Sequence, residues 1–226
     1  MKLSSRPALR DAQTVAYSER SAGHQVLRNT YMLLSMTLLF SALTAAASVA
    51  FALPGPGFLI TLVGYFGLLF LTSKLRNSAW GIVSVFALTG FMGYTLGPIL
   101  SHYLHMAGGS AIVMGAMGLT GLIFLSLSAY VLISKRDFSF MGGFLMAGMI
   151  VVLVTSLAGI FLQIPALALT ISAVMVLLMS GMILFETSNI LHGGETNYIM
   201  ATVDLYITLF NLFTSLLHLL GFIEKE

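Results

Sequence analysis

The amino-acid sequence predicts an all-α, polytopic membrane protein with seven transmembrane helices. Composition is the first reason. Of 226 residues, 58% are hydrophobic and only 8% charged, and the mean hydropathy is +0.98. That is more apolar material than one soluble domain can enclose. Continuous apolar stretches also recur along the whole length, the pattern of helical spans. A membrane β-barrel would alternate apolar and polar residues instead. Lastly, nearly all charged residues lie outside the apolar runs. A net charge of +2, unevenly placed, gives no footprint for nucleic acid, and zero cysteines exclude disulfides, Cys-ligated zinc and Fe–S clusters. Fourteen Met and 22 Gly suit closely packed, adaptable helix interfaces.

Residues 1–28 read as a polar, basic tail, and residues 29–226 as a single transmembrane domain. The tail carries Lys2, Arg6, Arg10, Arg20 and Arg28 against Asp11 and Glu19. It is expected to be mobile, with an interfacial helix near Ala8–Tyr17. A signal-peptide reading has small residues in its favour at Ala45, Ala47 and Ala50. The length of the tail and the six spans that follow argue for a retained first span instead.

The spans run at approximately Thr30–Leu53, Phe58–Ser73, Trp80–Leu100, Ala111–Ile133, Met141–Leu162, Ala166–Phe185 and Tyr198–Phe222. Pro54-Gly55-Pro56-Gly57 is a turn by its chemistry, and Pro165 is placed to open a helix. Such short loops force neighbouring helices to run antiparallel. Lys/Arg bias sets orientation. Five tail cations, Lys74, Arg76, Lys135 and Arg136 lie on one side, with Lys225 alone on the other. The N-terminus is therefore expected in the cytoplasm and the C-terminus in the periplasm.

Glycines recur at helix spacing in two places, Gly90/Gly93/Gly97 and Gly115/Gly118/Gly121. Both sets are expected to let helix backbones approach closely. Pro98 is expected to kink the third span.

Two carboxylates break the apolar pattern: Glu186 closes the sixth span and Asp204 sits inside the seventh. Acids at membrane depth are costly, so each is a candidate functional residue. Histidines offer less. His102 and His105 have i, i+3 spacing in a loop with no third ligand beside them for zinc. His192 is expected to be a solvated loop residue, and His218 a packing or interfacial one. No two histidines lie well inside the spans to hold a haem. No H-E-x-x-H, P-loop or G-x-S-x-G is present, so no enzymatic activity and no cofactor are expected.

Four stretches taken together resemble the Bax inhibitor-1 family. They are "VLRNTYMLLSMTL" (Val26–Leu38), "TGFMGYTLGPIL" (Thr89–Leu100), "FETSNILHGGETNYI" (Phe185–Ile199) and "LYITLFNLF" (Leu205–Phe213). The similarity runs from about Val26 to Phe222 and is closest to the bacterial YccA-type branch. It implies a Bax inhibitor-1-like bundle of seven helices with the last near the centre, in the bacterial inner membrane. It also implies a partner, the membrane-anchored ATP-dependent protease FtsH, for which such a protein is substrate, modulator and competitive inhibitor. Other members are described as pH-sensitive calcium leaks governed by two aspartates, on the sixth and seventh helices. Here the F-D-T-Q pattern of the family reads Phe185-Glu186-Thr187-Ser188, and Thr208 stands where the second aspartate is expected.

With helix six ending near Ile190 and helix seven starting near Thr196, Glu186 is ~6 Å deep, Asp204 ~12 Å and Thr208 ~18 Å. Glu186 is thus closer in depth to Asp204 than to Thr208. Two readings stand side by side. In one, Glu186 and Asp204 form a buried pair that shares a proton, senses pH and attracts a cation such as Ca²⁺. In the other, Glu186 is solvated at the headgroups and Asp204 bonds a polar residue of a neighbouring helix. Lys74 and Arg76 are candidate counter-charges.

Overall fold

The computed structural model describes residues 6–162 and 164–223. Seven long helices follow in order: α1 (Arg6–Ala50), α2 (Phe58–Leu75), α3 (Trp80–Leu104), α4 (Gly109–Ser134), α5 (Gly142–Leu162), α6 (Pro165–Leu191) and α7 (Tyr198–Ile223). All seven are long and apolar enough to cross a membrane, α1 from Gly23 onward. The chain is a multi-pass membrane protein.

The main departures from the sequence-based expectation are at three helix ends. Helix α3 runs on to Leu104 rather than closing at Leu100, which places His102 in the helix instead of a loop. Helix α1 begins at Arg6 and runs unbroken into the first span, where a mobile tail with a separate interfacial helix was expected. Helix α6 continues to Leu191, past the apolar span limit at Phe185 and within a residue of the Ile190 end used for the depth estimate, because the polar residues Glu186, Thr187 and Ser188 are themselves buried in the bundle. Hydropathy ends a helix where polarity begins; packing carries this one a further turn and a half.

Helix α7 packs against α1, α3, α4 and α6. It buries Ile199, Thr202, Leu205, Tyr206, Leu212 and Leu217, among others, and leaves a stripe that carries Asp204 and His218 exposed. A helix in contact with four others sits at the centre of the bundle. The Tyr206 hydroxyl donates to the Thr89 carbonyl of α3 at 3.1 Å and shares a 2.6 Å hydrogen bond with Ser41 of α1. By contrast, α2 packs on α3, and α5 on α6, at the periphery. Phe58, Phe66 and Phe70 of α2 and Phe144, Val151 and Phe161 of α5 are exposed, as lipid-facing residues are.

The most extensive helix pair is α1 with α3. A Cβ built on Gly93 would fall on the Ser41 carbonyl and the Thr44 hydroxyl, and one on Gly97 would fall on the Ser48 side chain. These glycines are what brings the two backbones together. Helix α3 continues through Pro98 to Leu104. Proline has no amide to offer the carbonyl four residues earlier, which here is Tyr94. Ser48 of α1 donates to that carbonyl at 3.1 Å, supplying the missing bond where no water is at hand.

The second glycine set does not behave as expected. A Cβ at Gly118 or Gly121 would have nothing within 4 Å, and one at Gly115 only Leu220 at 3.3 Å. Gly118 and Gly121 thus have no helix opposite, while Gly115 looks towards Leu220 of α7.

Candidate functional site

Glu186 lies on α6 five residues before the helix ends and is only 8% exposed. Its Oε1 accepts a 2.8 Å hydrogen bond from Thr208 Oγ1 on α7. Its Oε2 is buried with no hydrogen-bond partner among the described residues. Buried polar oxygens are nearly always hydrogen-bonded, which sets Oε2 apart; Thr30 Oγ1 is the other such atom among the described residues. A cavity of about 280 Å³ is lined by Glu186, Asn189, Glu195 and Asp204 together with Met182 and Phe185.

Neither expectation for the two acids holds as stated. Glu186 is buried, not solvated at a headgroup level, and its direct partner is Thr208 rather than Asp204. The depth comparison assumed that both helices start level with each other. The Glu186–Thr208 bond shows a different relative height. Asp204 is exposed, lines the same cavity and receives no hydrogen bond from a neighbouring helix among the described residues. Three carboxylates therefore share one cavity, but only one of them is hydrogen-bonded to α7.

The candidate counter-charges are elsewhere. Lys74 Nζ lies 5.3 Å from the centre of the Phe70 ring, and Arg76 offers its backbone carbonyl to Asn197. Among the described residues, neither pairs with a carboxylate.

The loop that closes the site is built by asparagines. Gly193 takes a left-handed φ of +80°, which glycine adopts without strain. The amides of Gly194 and Glu195 then turn back onto the Asn189 carbonyl at 2.8 and 3.3 Å. Asn197 caps α7, its Oδ1 accepting from Ile199 and Met200 amides at 3.0 and 3.1 Å. Its Nδ2 donates to the Arg76 carbonyl at 3.0 Å and to Asn77 Oδ1 at 2.9 Å, tying the α2–α3 loop to the start of α7. Glu195 Oε1 accepts from the Asn197 amide at 2.6 Å, which fixes that carboxylate beside the cavity it lines. Asn immediately before an apolar run is a helix-start signal, so this cap was readable in advance.

Ser188 is a second organiser that hydropathy alone does not reveal. Its hydroxyl accepts from the Phe138 amide at 2.9 Å, docking the α4–α5 loop onto α6. The His192 ring, although exposed, bonds the Ser188 carbonyl through Nδ1 at 2.9 Å. Asp137 lies in the same loop, and the Ser139 amide, at 2.8 Å, holds its carboxyl below the usual range. Thr187 hydroxyl contacts reach Tyr31 of α1 and Ser128 of α4, each at 3.4 Å.

Among the remaining histidines, His105 Nδ1 meets the Ser101 carbonyl at 2.6 Å, and His218 lies 6.2 Å from the Tyr103 ring, centre to centre. Among the described residues, no three His, Asp, Glu or Cys residues are grouped to hold a metal ion.

A seven-helix membrane bundle with a central last helix, and one buried glutamate bonded to it, defines a class of integral membrane proteins. The chain belongs to the Bax1-I family, described as "Inhibitor of apoptosis-promoting Bax1", whose family model matches residues 23–225. The chain is 60% identical over 203 residues to the Modulator of FtsH protease YccA of Escherichia coli strain K12, covering 90% of this chain and 92% of that protein. It is equally similar to the protein named Inner membrane protein YccA of Escherichia coli O6:H1, again 60% over 203 residues, 90% of this chain and 92% of the relative. An uncharacterized membrane protein of Vibrio cholerae is 48% identical over 204 residues, 90% of this chain and 92% of its own length.

Proposed function

We propose that this chain is a YccA-like regulator of an FtsH-type protease in the bacterial inner membrane, acting as its substrate and competitive inhibitor rather than as an enzyme. The observation that carries this reading is the 60% identity, over nine-tenths of the chain, to a protein named as a modulator of FtsH. The Lys/Arg distribution supports a cytoplasmic N-terminus and a periplasmic C-terminus. The protease would then meet the N-terminal part of α1 first. A single polar helix outside lipid is marginally stable, so a processive ATPase can unwind it as a grip. The bundle behind it, with α1 seated on α3 through Gly93 and Gly97, resists extraction and so occupies the protease.

The test is turnover in membranes containing FtsH. Deleting about the first twenty residues is expected to abolish degradation while the remaining chain stays membrane-inserted. Unchanged turnover of the truncated protein would sink the grip.

A second reading rests on the buried, unpartnered Oε2 of Glu186 and the carboxylate-lined cavity next to it. A proton or a cation such as Ca²⁺ reaching that oxygen makes Glu186 the sensing residue, with Thr208 as its fixed partner and Asp204 and Glu195 lining the same cavity. Liposomes loaded with a calcium dye test it. The expected result is a flux that differs between acidic and neutral pH and is lost in Glu186→Gln. Equal flux in wild type and variant at both pH values removes this reading and leaves the first untouched.

A further inference from the structure

At the opposite end of the bundle from Glu186, the α1–α2 turn and the end of α3 border a larger, open cavity of about 460 Å³. His102 and His105 line it, together with the hydroxyl-bearing Ser48 and Ser101 and with Pro54 and Pro98. We propose that this cavity binds a divalent transition-metal ion through the two imidazoles.

Four features carry the assignment. The two histidines are three residues apart, and His105 keeps helical dihedrals (φ −82°, ψ −6°) one residue past the last helical position. Residues at that spacing lie on one helix face. The His105 Nδ1 is engaged at 2.6 Å by the Ser101 carbonyl. That bond places the proton on Nδ1 and leaves Nε2 as a lone-pair donor, the outer-sphere arrangement that metal-ligating histidines use. The C-terminal ends of two helices, α1 at Ala50 and α3 at Leu104, meet at this cavity. Both present the negative end of the helix dipole, which favours a cation and disfavours an anion. Among the described residues, no Lys, Arg, Asp or Glu lines the cavity.

The lining also selects among cations. Ca²⁺ and Mg²⁺ need carboxylate oxygens, which are missing here. Imidazole suits Cu²⁺, Ni²⁺ and Zn²⁺. With two protein ligands, water completes the coordination, so the ion exchanges readily and affinity follows the order Mn²⁺ < Ni²⁺ < Cu²⁺ > Zn²⁺. The site is independent of both functional readings above, because it shares no residue with the carboxylate cavity and does not involve the N-terminal part of α1.

The experiment is calorimetric titration of the full-length protein in detergent, purified without a polyhistidine tag, with CuCl₂, NiCl₂, ZnCl₂ and MnCl₂ in separate runs. One high-affinity equivalent of Cu²⁺ is expected. His102→Ala and His105→Ala are each expected to weaken it at least tenfold, and His218→Ala to leave it unchanged. The Cu²⁺ paramagnetic resonance spectrum of the wild type is expected to show two imidazole nitrogens. Both histidines are exposed, so their variants retain the wild-type unfolding transition, which is measured alongside. Undiminished Cu²⁺ binding in the double variant overturns the site, as do a loss confined to one of the two positions and Mn²⁺ binding as tight as Cu²⁺.

Discussion

The α1–α3 seam and the outer face of α4 carry nearly the same sequence signal and use it in opposite ways. Gly90, Gly93 and Gly97 in one, and Gly115, Gly118 and Gly121 in the other, recur every three or four residues within an apolar helix. On α3, added Cβ atoms at Gly93 and Gly97 would land on α1 backbone and hydroxyl groups. On α4, Gly118 and Gly121 face open space. What differs is the partner: α1 presents Ser41, Thr44 and Ser48, small polar residues at the same helical spacing. Close approach needs matching small residues on both helices, because two backbones meet only where neither side chain intervenes. The spacing of glycines on one helix is therefore half of a signal.

The largest effect expected from breaking this contrast is at Gly93. Gly93→Leu forces a side chain into the Ser41 carbonyl, and neither backbone can retreat without parting the helices. Overpacking of this kind costs about 3 kcal/mol or more where the obstacle is main chain. Equilibrium unfolding in mixed micelles, with SDS as denaturant, measures it. Gly93→Leu should fall far below wild type, and a variant as stable as wild type would show that the seam is not close-packed.

Next in size are substitutions that strand a buried oxygen. Ser48→Ala removes the donor to the Tyr94 carbonyl that Pro98 leaves unserved. Thr208→Val removes the donor to Glu186 Oε1. An unsatisfied buried acceptor costs about 1–3 kcal/mol, so each variant should lose stability in that range in the same assay. The acids repeat the contrast of the glycines. Glu186 has a partner on the facing helix, while Asp204 is exposed. Asp204→Asn should therefore stay within about 0.5 kcal/mol of wild type. A loss at Asp204 comparable to that at Thr208 would mean that the two acids interact directly after all.

Much of this architecture is legible in the chain because lipid imposes a simple rule: spans must be long, apolar and helical. The span positions and the Pro-Gly turn before α2 follow from that rule, as does the Asn197 cap from the chemistry of helix starts. The site is less legible for the same reason. Glu186, Thr187 and Ser188 look like the beginning of a loop to hydropathy, yet they are buried by protein, not by lipid. Which α7 residue faces Glu186 depends on the relative height of two helices, and no periodicity within either helix encodes that. The buried hydroxyls of Ser48 and Ser188 each serve a group more than forty residues away, a relation visible only once the helices are placed.

The smallest effect, with the opposite sign, belongs to the outer face of α4. Gly118→Ala and Gly121→Ala add a methyl group where nothing lies within 4 Å. Alanine also restricts the unfolded chain and favours the helix, worth about 0.5–1 kcal/mol per site in a helix interior. Each variant should therefore match wild type or unfold at slightly higher denaturant, and the two together should add, since neither touches a shared neighbour. If instead either substitution destabilises the protein in micelles, a helix or a second chain must cover that face in the membrane-embedded form. The two glycine sets would then serve the same role, one within the chain and one beyond it. Matching or raised stability at α4 beside a large loss at Gly93 would establish that nearly the same spacing has been put to two uses, according to what the facing helix supplies.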